Sequence, residues 1–501
     1  MDGGSTGEGR HAPSIQVDDA ISTKVQKAAQ PLYSARIKVH PKAVSGTFRS
    51  LKWIVLGLCL AVYYGAPWLR WDRGPAAPGQ AILIDMPGRK AYFFMIEIWP
   101  QEVYFLTGLL VLAAIILFLV TSLFGRLWCG YACPQTVWTD LFMLVELWIE
   151  GDRNARIKLD AAPNSVSKFA KRVAKHASWV LIAMATGGAW VLYFGDAPTV
   201  LPEIFTGSAS FTQYFFIGLF TATTYTLAGL AREQVCTYMC PWPRFQSAML
   251  DDQSYVVTYE GWRGEPRGKL AKKTDGSDPW AGRGDCVDCN SCVATCPTGI
   301  DIRDGQQLEC IGCGLCVDAC NVVMDKVGRP RGLIRFDTLA NQQARACGQS
   351  PTHHFIRPRT ILYAAVLALV GSVMLAALLM RTTVELNVLR DRNPLYVTLV
   401  DGRIRNAYTV HILNKTHAQH RYVLHVEGVP DAVISTIEIE GAGGSLELAA
   451  KPDAVASERI FVTAPLSGLK NAASTKVVFR LEETSDGGRA RYESVFLAPG
   501  R

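Results

Sequence analysis

Five stretches of this chain carry no charged residue over a length close to that of a bilayer: residues 53–69, 103–124, 177–195, 211–230 and 360–380. A hydrocarbon core of roughly 30 Å takes about 20 apolar helical residues. One such run could be a buried helix of a soluble protein, but five in a chain of 501 residues argue for membrane spans. Inside lipid every backbone N–H and C=O must find its partner within the segment, so each run is expected to be a helix. The first run is the shortest, and its flanks, Lys52 and Arg70, are expected to snorkel. Residues 1–50 read as a polar leader with a basic end and no apolar core of a cleavable signal.

Basic residues near the span ends set the orientation. Residues 24–52 hold seven Lys or Arg and no acid, residues 153–175 and 263–283 are basic again, and 196–210 hold no Lys or Arg. The N-terminus is therefore expected in the cytoplasm, and five crossings put the tail beyond Arg381 outside, in the periplasm of a Gram-negative host. These inner flanks account for the net charge of +7, which then needs no nucleic-acid partner.

The fourteen cysteines follow the same division. Eight lie in 286–320, in the long inner segment 236–358, and four sit at the inner ends of two spans. Cys59 reads as a packing residue of the first span, and Cys347 has no evident role. Disulfides belong to oxidising compartments, so thiols confined to the inner side argue for metal or redox use.

Cys286-x2-Cys289-x2-Cys292-x3-Cys296-Pro297 is the spacing of a bacterial ferredoxin, and Cys310-x2-Cys313-x2-Cys316-x3-Cys320 repeats it. In the two-cluster form the last cysteine of each run serves the other cluster. One [4Fe–4S] group is thus expected on Cys286, Cys289, Cys292 and Cys320. The second is expected on Cys310, Cys313, Cys316 and Cys296. Gly312 and Gly314 leave room for backbone N–H groups to approach the inorganic sulfurs. A pair of zinc sites also uses CxxC, but does not need the third and fourth cysteines at x2 and x3.

Cys129-Gly-Tyr-Ala-Cys133-Pro134 and Cys236-Thr-Tyr-Met-Cys240-Pro241 form an internal repeat. On a helix, i and i+4 share a face, so each pair is expected to present two thiols together. If the spans are neighbours, all four converge. Soft thiolates suit Cu(I), zinc or an Fe–S centre, while simple packing of buried thiols is the alternative. The segment after the second span suits a surface helix with Trp138 and Trp148 as interface anchors.

The architecture expected is a multi-domain membrane protein: leader 1–50, four spans and the first CxxxCP motif in 51–235, and the inner segment 236–358. That segment carries a ferredoxin-like α+β insert at about 276–335. A fifth span at 359–381 leads to an all-β, immunoglobulin-like sandwich over 382–501. Six or seven short β-branched strands, such as NAYTVHILNKT and TKVVFRLEE, carry the last assignment. His353 and His354 read as solvated, and His411, His417, His420 and His425 as pointing in varied directions rather than ligating.

With these motifs placed, the chain resembles the FixG/RdxA/CcoG family of membrane-bound ferredoxin-type proteins. CGYACPQT, CTYMCPW, YEGWRGEPRG and ECIGCGLCVDACN carry the resemblance, which spans nearly the whole chain. It implies an accessory role in assembling cbb3-type cytochrome c oxidase, by reducing Cu(II) to Cu(I) before copper passes to chaperones. Cys129, Cys133, Cys236 and Cys240 would then be the catalytic, copper-handling group in the bacterial inner membrane, fed by a cytoplasmic electron donor. A quinol-linked ferredoxin serving a periplasmic reductase, and a non-catalytic assembly scaffold, are the alternatives.

Overall fold

The computed structural model describes residues 38–75, 77–269, 280–416, 418–437, 444–468, 473–484 and 488–499. The first 37 residues of the expected leader lie outside them. The chain divides into two compact units, Met1–Ala66 with Leu106–Phe194 and Val200–Val370, and Pro67–Phe105 with Gly195–Thr199 and Gly371–Arg501.

The helices that matter for the first unit are α1 (Thr47–Gly65), α2 (Val103–Phe124), α3 (Leu127–Tyr131), α4 (Pro134–Glu150), α5 (Val166–Val191) and α6 (Phe211–Thr224). They are followed by α7 (Trp242–Met249), α8 (Ser291–Thr295), α9 (Leu315–Val327) and α10 (Pro358–Leu379). Among the described residues, four helical stretches are long and apolar enough to cross a bilayer: Thr47–Trp68, Pro100–Phe124, Phe211–Ala231 and Pro358–Leu379. Their large side chains, among them Leu110, Phe215, Leu362 and Leu369, stand exposed. Bare apolar surface of this extent places the protein at a membrane.

The expected span 177–195 departs from this pattern. Its helix, α5, starts at Val166, where Ser165 accepts the Lys168 N–H at 3.2 Å, and ends at Val191. The basic first half of α5, with Lys168, Lys171, Arg172 and Lys175, keeps it out of the set of four. It packs along α6 through Gly187, where a Cβ would stand 2.6 Å from the Ile217 carbonyl oxygen.

Two further expectations are corrected within the first unit. Lys52 does not snorkel: it is 2% exposed, with Nζ 2.9 Å from Asp140 Oδ2 on α4. Trp138 is no interface anchor. Its Nε1 donates to Thr186 Oγ1 at 2.8 Å, and its ring packs edge-on against Tyr63, whereas Trp148 is exposed. Around them, Glu146 pairs with Arg156 at 2.9 Å and Arg232 at 2.5 Å, and Glu150 pairs with Lys175 and Arg172 at 3.0 Å each. Buried charges persist only when partnered, so this network ties α4 to α5 and to the chain after α6.

The cysteine-rich domain closes on an antiparallel strand pair, Tyr255–Tyr259 with Ile334–Thr338. Between these strands the chain lays down α8 and α9, and Val257, Ile302, Val317, Met324 and Leu333 form a core with Cys286, Cys292 and Cys320. This is the expected α+β insert.

In the second unit, the turn-rich loop after α1 contains a three-stranded sheet, Ile82–Asp85, Lys90–Phe93 and Ile96–Ile98. The tail is an antiparallel two-sheet sandwich, with nine strands among the described residues: β1 (Val384–Arg390), β2 (Val397–Thr398), β3 (Ile404–Asn414), β4 (His420–Glu427), β5 (Val433–Ser435), β6 (Ser445–Ala450), β7 (Ala454–Ala464), β8 (Ser474–Glu483) and β9 (Arg489–Leu497). One sheet has the order β5-β7-β3-β1 with β2 beside β3, and the other β6-β4-β8-β9. Tyr408, Tyr422, Phe479 and Phe496 fill the space between them. The strands beyond the expected six or seven include β1 and β6. Val384, Leu386 and Val388 alternate inward, as do Leu446, Leu448 and Ala450. The interleaved Glu and Asn hid a legible period of two.

Candidate redox and metal centre

The two ferredoxin runs fold alike. Asp288 and Asn290 take positive φ in the first, 51° and 55°, and Gly312 and Gly314 take 69° and 72° in the second. Asn, Asp and Gly are the residues that tolerate this left-handed turn. Each turn is followed by a short helix, α8 or α9, that carries the third cysteine. In the first run Arg303 holds the turn, donating from Nη1 to Asp288 at 2.7 Å, from Nη2 to Asn290 at 2.5 Å and from Nε to Asp301 at 2.8 Å. In the second, a Cβ at Gly314 would stand 2.4 Å from the Phe48 ring of α1. Glycine is thus required there by close approach as well as by φ.

Two cavities lie between the runs. Cys286, Cys289, Cys292 and Cys320 line one, together with Tyr259 and Arg303. Cys296, Cys310, Cys313 and Cys316 line the other, which Cys292 also reaches. Each cavity is thus lined by cysteines of both runs.

Burial pushes the Cys292 thiol up to about 11 and the Cys310 and Cys320 thiols up to about 12, with neighbouring thiols adding to the rise at Cys310 and Cys320. Thiolates packed this way need a multiply charged cationic group to hold them ionised. Among the described residues no three His, Cys, Asp or Glu side chains are grouped to hold one metal ion. An all-sulfur donor set spread around a cavity fits an iron–sulfur cube.

The CxxxCP pairs do not lie on continuous helices, contrary to expectation. Cys129 is in α3, but Cys133 is extended at the N-cap of α4, with Pro134 opening that helix. Cys236 lies in a π-helical turn, Val235–Met239, and Cys240 is extended before Pro241. Proline cannot continue a helix through its N–H, so each motif breaks at its second cysteine. The four thiols are near enough to influence one another, although no three of them are grouped to hold one metal ion in this structure. Burial, then Cys133 and Cys236, pushes the Cys129 thiol up to about 12. Burial, then Cys133 and Cys240, pushes Cys236 up to about 11.

This thiol group sits against the second ferredoxin run. Cys129 and Cys236 pack on the cluster formed by Ile311, Cys313 and Leu315. Gly130 lies so close that a Cβ would meet the Ile311 carbonyl oxygen at 2.9 Å and the Cys313 nitrogen at 3.2 Å. The Tyr131 hydroxyl donates to the Cys313 carbonyl at 3.0 Å. Arg126 donates to the Cys310 carbonyl at 3.0 Å and to the Pro243 carbonyl at 2.8 Å, so one buried guanidinium bridges the ferredoxin run and the stretch after the second CxxxCP motif. Asp318, between Cys316 and Cys320, caps the first turn of α1: its carboxylate accepts the Phe48 N–H at 3.3 Å and the Arg49 N–H at 2.8 Å.

Sequence reasoning did not single out Arg126 or Asp318, and read Lys52 only as a snorkelling flank. Their only local signal is a charge at the edge of an apolar or cysteine-rich run. Of the remaining candidates, His353 is exposed, as expected, with its Nδ1 2.6 Å from the Tyr255 hydroxyl. His354 is exposed, His420 pairs with Glu483, and His417 lies outside the described residues. Cys59 is half-buried and Cys347 exposed.

The fold and the site define a membrane-associated 4Fe–4S protein of the electron-transfer class. A family model described as a 4Fe–4S dicluster domain matches residues 231–339, and one described as a 4Fe–4S binding domain matches 106–153. The IG-like fold at the C-terminus of FixG matches 374–499. The chain is 49% identical to the nitrogen fixation protein FixG of Rhizobium meliloti over 96% of its length and 97% of that protein. It is 49% identical to protein RdxB of Cereibacter sphaeroides, over 94% of this chain and 98% of the other. Protein RdxA of the same organism is 48% identical over 92% and 97%. The chain belongs to the FixG family. A crystal structure of a FixG-related protein from Vibrio parahaemolyticus aligns with 23% of this chain and 97% of its own, at 26% identity and a TM-score of 0.20.

Proposed function

We propose that this protein reduces Cu(II) to Cu(I) at four inner-face thiols, for assembly of a cbb3-type cytochrome oxidase. Cys286, Cys289, Cys292 and Cys320 would hold one [4Fe–4S] group, and Cys310, Cys313, Cys316 and Cys296 the other. When bound, these groups supply one-electron chemistry at a potential tuned by burial and hydrogen bonds.

The observation that carries the reading is the contact of Gly130 and Tyr131 with the backbone of residues 311–313. It sets Cys129 and Cys236 directly on the second cysteine set, so the thiol group needs no further carrier. Cys129, Cys133, Cys236 and Cys240 bind the substrate copper ion, which gains one electron, and soft thiolates favour the Cu(I) product. Copper chaperones or oxidase assembly factors then receive it, and a cytoplasmic donor resupplies the electron.

In this reading the chain crosses the bacterial inner membrane five times, with the cysteine-rich domain cytoplasmic and the sandwich periplasmic. The basic inner flanks support it. So does the packing of α5 along α6, together with the Tyr193 hydroxyl, which donates to the Tyr63 carbonyl at 2.8 Å and levels the ends of α1 and α5.

Anaerobic purification tests the proposal. About eight irons per chain are expected, and the dithionite-reduced protein should convert added Cu(II) to Cu(I) in proportion to its reduced iron. Zinc in place of iron, or reduced protein that leaves Cu(II) unchanged, would refute it.

A further inference from the structure

The second apolar helix, α2, ends in a turn at Gly125, whose φ is 60°. That turn delivers Arg126 to the second ferredoxin run, where a Cβ added at Gly312 would stand 3.4 Å from the Arg126 backbone and Cβ. Arg126 is 7% exposed. Its guanidinium donates to three carbonyl oxygens: from Nη1 to Leu308 and to Cys310, the latter at 3.0 Å, and from Nη2 to Pro243 at 2.8 Å. Nε is buried without a partner. Among the described residues no carboxylate forms an ion pair with it, and Glu309 acts on it only from a distance. Arg303 of the first run differs, because Asp288 and Asp301 already answer its charge.

Arginine keeps its proton in any protein, and a buried cation lacking a counter-charge is costly. Neutral carbonyls solvate a guanidinium without cancelling its charge. Burial opposes the charge of Arg126, and the Cys310 and Cys129 thiols are the foremost groups that favour it. One belongs to the second ferredoxin run and the other to the CxxxCP group, so this cation faces both.

We propose that Arg126 is a positioning residue for electron delivery: its fixed charge offsets the anionic iron–sulfur group expected on Cys310, Cys313, Cys316 and Cys296, and so raises the potential at which that group accepts an electron. The inference rests on the 4Fe–4S reading of the two runs and is independent of copper as the substrate. Four thiolates leave such a group net anionic, and reduction adds one electron with no bond made or broken. The electron comes from a low-potential one-electron donor, dithionite in the test below, and Arg126 stays protonated throughout. Net charge is among the quantities that set such potentials, so a nearby cation favours the reduced form. The bridge to Cys310 and Pro243 holds that cation on the side of the group that faces Cys129.

The test is an anaerobic, EPR-monitored redox titration of the full-length protein in lipid nanodiscs, on the parent, Arg126→Gln and Arg126→Lys. In Arg126→Gln one iron–sulfur group should be about tenfold harder to reduce, a shift of about 59 mV to more negative potential. Arg126→Lys keeps the charge without the fork, and should stay within about threefold of the parent. Iron content reports whether each variant is loaded. Loss of iron in Arg126→Gln alone, with Arg126→Lys loaded and near the parent's potential, would also show that the charge is what the site requires. Parent potentials in Arg126→Gln, a shift in Arg126→Lys as large as in Arg126→Gln, or loss of iron in both variants would overturn the proposal and leave Arg126 a structural bridge. Zinc or no iron in the parent sinks the cluster reading itself, before any variant is compared.

Discussion

The Tyr131 hydroxyl donates to the Cys313 carbonyl at 3.0 Å, joining the first CxxxCP motif to the second ferredoxin run. Removing one neutral hydrogen bond costs about 1 kcal/mol, so Tyr131→Phe should fold and retain its iron. Gly130→Ala is the sharper test. Alanine favours a helix by up to about 1 kcal/mol, but its Cβ would press on backbone atoms at 2.9 and 3.2 Å that cannot rotate away. The run must shift, and copper reduction should slow about tenfold with the iron content unchanged. An unchanged rate in Gly130→Ala would show that the contact does not matter for delivery.

Asp318 fastens the cysteine-rich domain to the first apolar helix by capping it. Loss of an N-cap costs about 1–2 kcal/mol, because two helix-end N–H groups lose their acceptor. Hydrogen exchange at Phe48 and Arg49 should quicken about fivefold to tenfold in Asp318→Ala. Asp318→Asn keeps an acceptor and should lose less. Equal exchange in the parent and the Ala variant would remove Asp318 from the fastening.

Burial raises the Cys236 and Cys313 thiols, and the buried positive charge of Lys52 offsets part of that rise at each, with Asp140 opposing it weakly at Cys313. Lys52→Met alone leaves the buried Asp140 carboxylate with only Arg49, 3.4 Å away, at a cost of up to about 3–5 kcal/mol. Lys52→Met with Asp140→Asn removes that strain and should fold. In an EPR-monitored redox titration the double variant should show one iron–sulfur potential moved to a more negative value, since a nearby cation favours the reduced form. Potentials identical to the parent would place Lys52 in a purely structural role.

In the second unit, burial and then the neighbouring Asp453 push the Glu97 carboxyl up to about 7, against the opposing pull of Lys90. Lys90 donates from Nζ to the Asp453 carbonyl at 2.8 Å. A carboxyl that binds its proton more tightly folded than unfolded makes the fold lose stability as pH rises from about 4.3 toward 7. The loss is then complete above that range. Limited proteolysis of the second unit should therefore be faster at pH 8 than at pH 6. Glu97→Gln should abolish the difference and slow cleavage at pH 8, by an amount on the order of 1 kcal/mol.

Much of this was legible from local spacing. The two 4Fe–4S runs announced themselves by x2-x2-x3 spacing, because so short a connection leaves the chain few ways to surround a cube. The most apolar helices announce themselves by length. What spacing could not give is long-range. Asp318 and Arg49 are 269 residues apart, and Tyr131 and Cys313 are 182 apart, with no periodicity linking them. The i, i+4 reading of the CxxxCP pairs failed because Pro134 and Pro241 break the chain at the second cysteine. Only convergence of separate segments restores the thiol group. The basic half of α5 blurred the third apolar run for a related reason: buried partners such as Glu150 make its Lys175 tolerable, and they lie on another helix.

The central claim, that electrons held by the cysteine-rich domain leave through the four thiols beside it, is tested most directly by one anaerobic measurement. Dithionite-reduced protein, freed of excess reductant, is mixed with Cu(II) while the EPR signal of reduced iron–sulfur groups and the absorbance of trapped Cu(I) are followed together. In the parent the EPR signal should fade as Cu(I) appears. In Cys129→Ser with Cys236→Ser the signal should persist and Cu(I) should not form. Copper reduction at the parent's rate in that double variant would contradict the account.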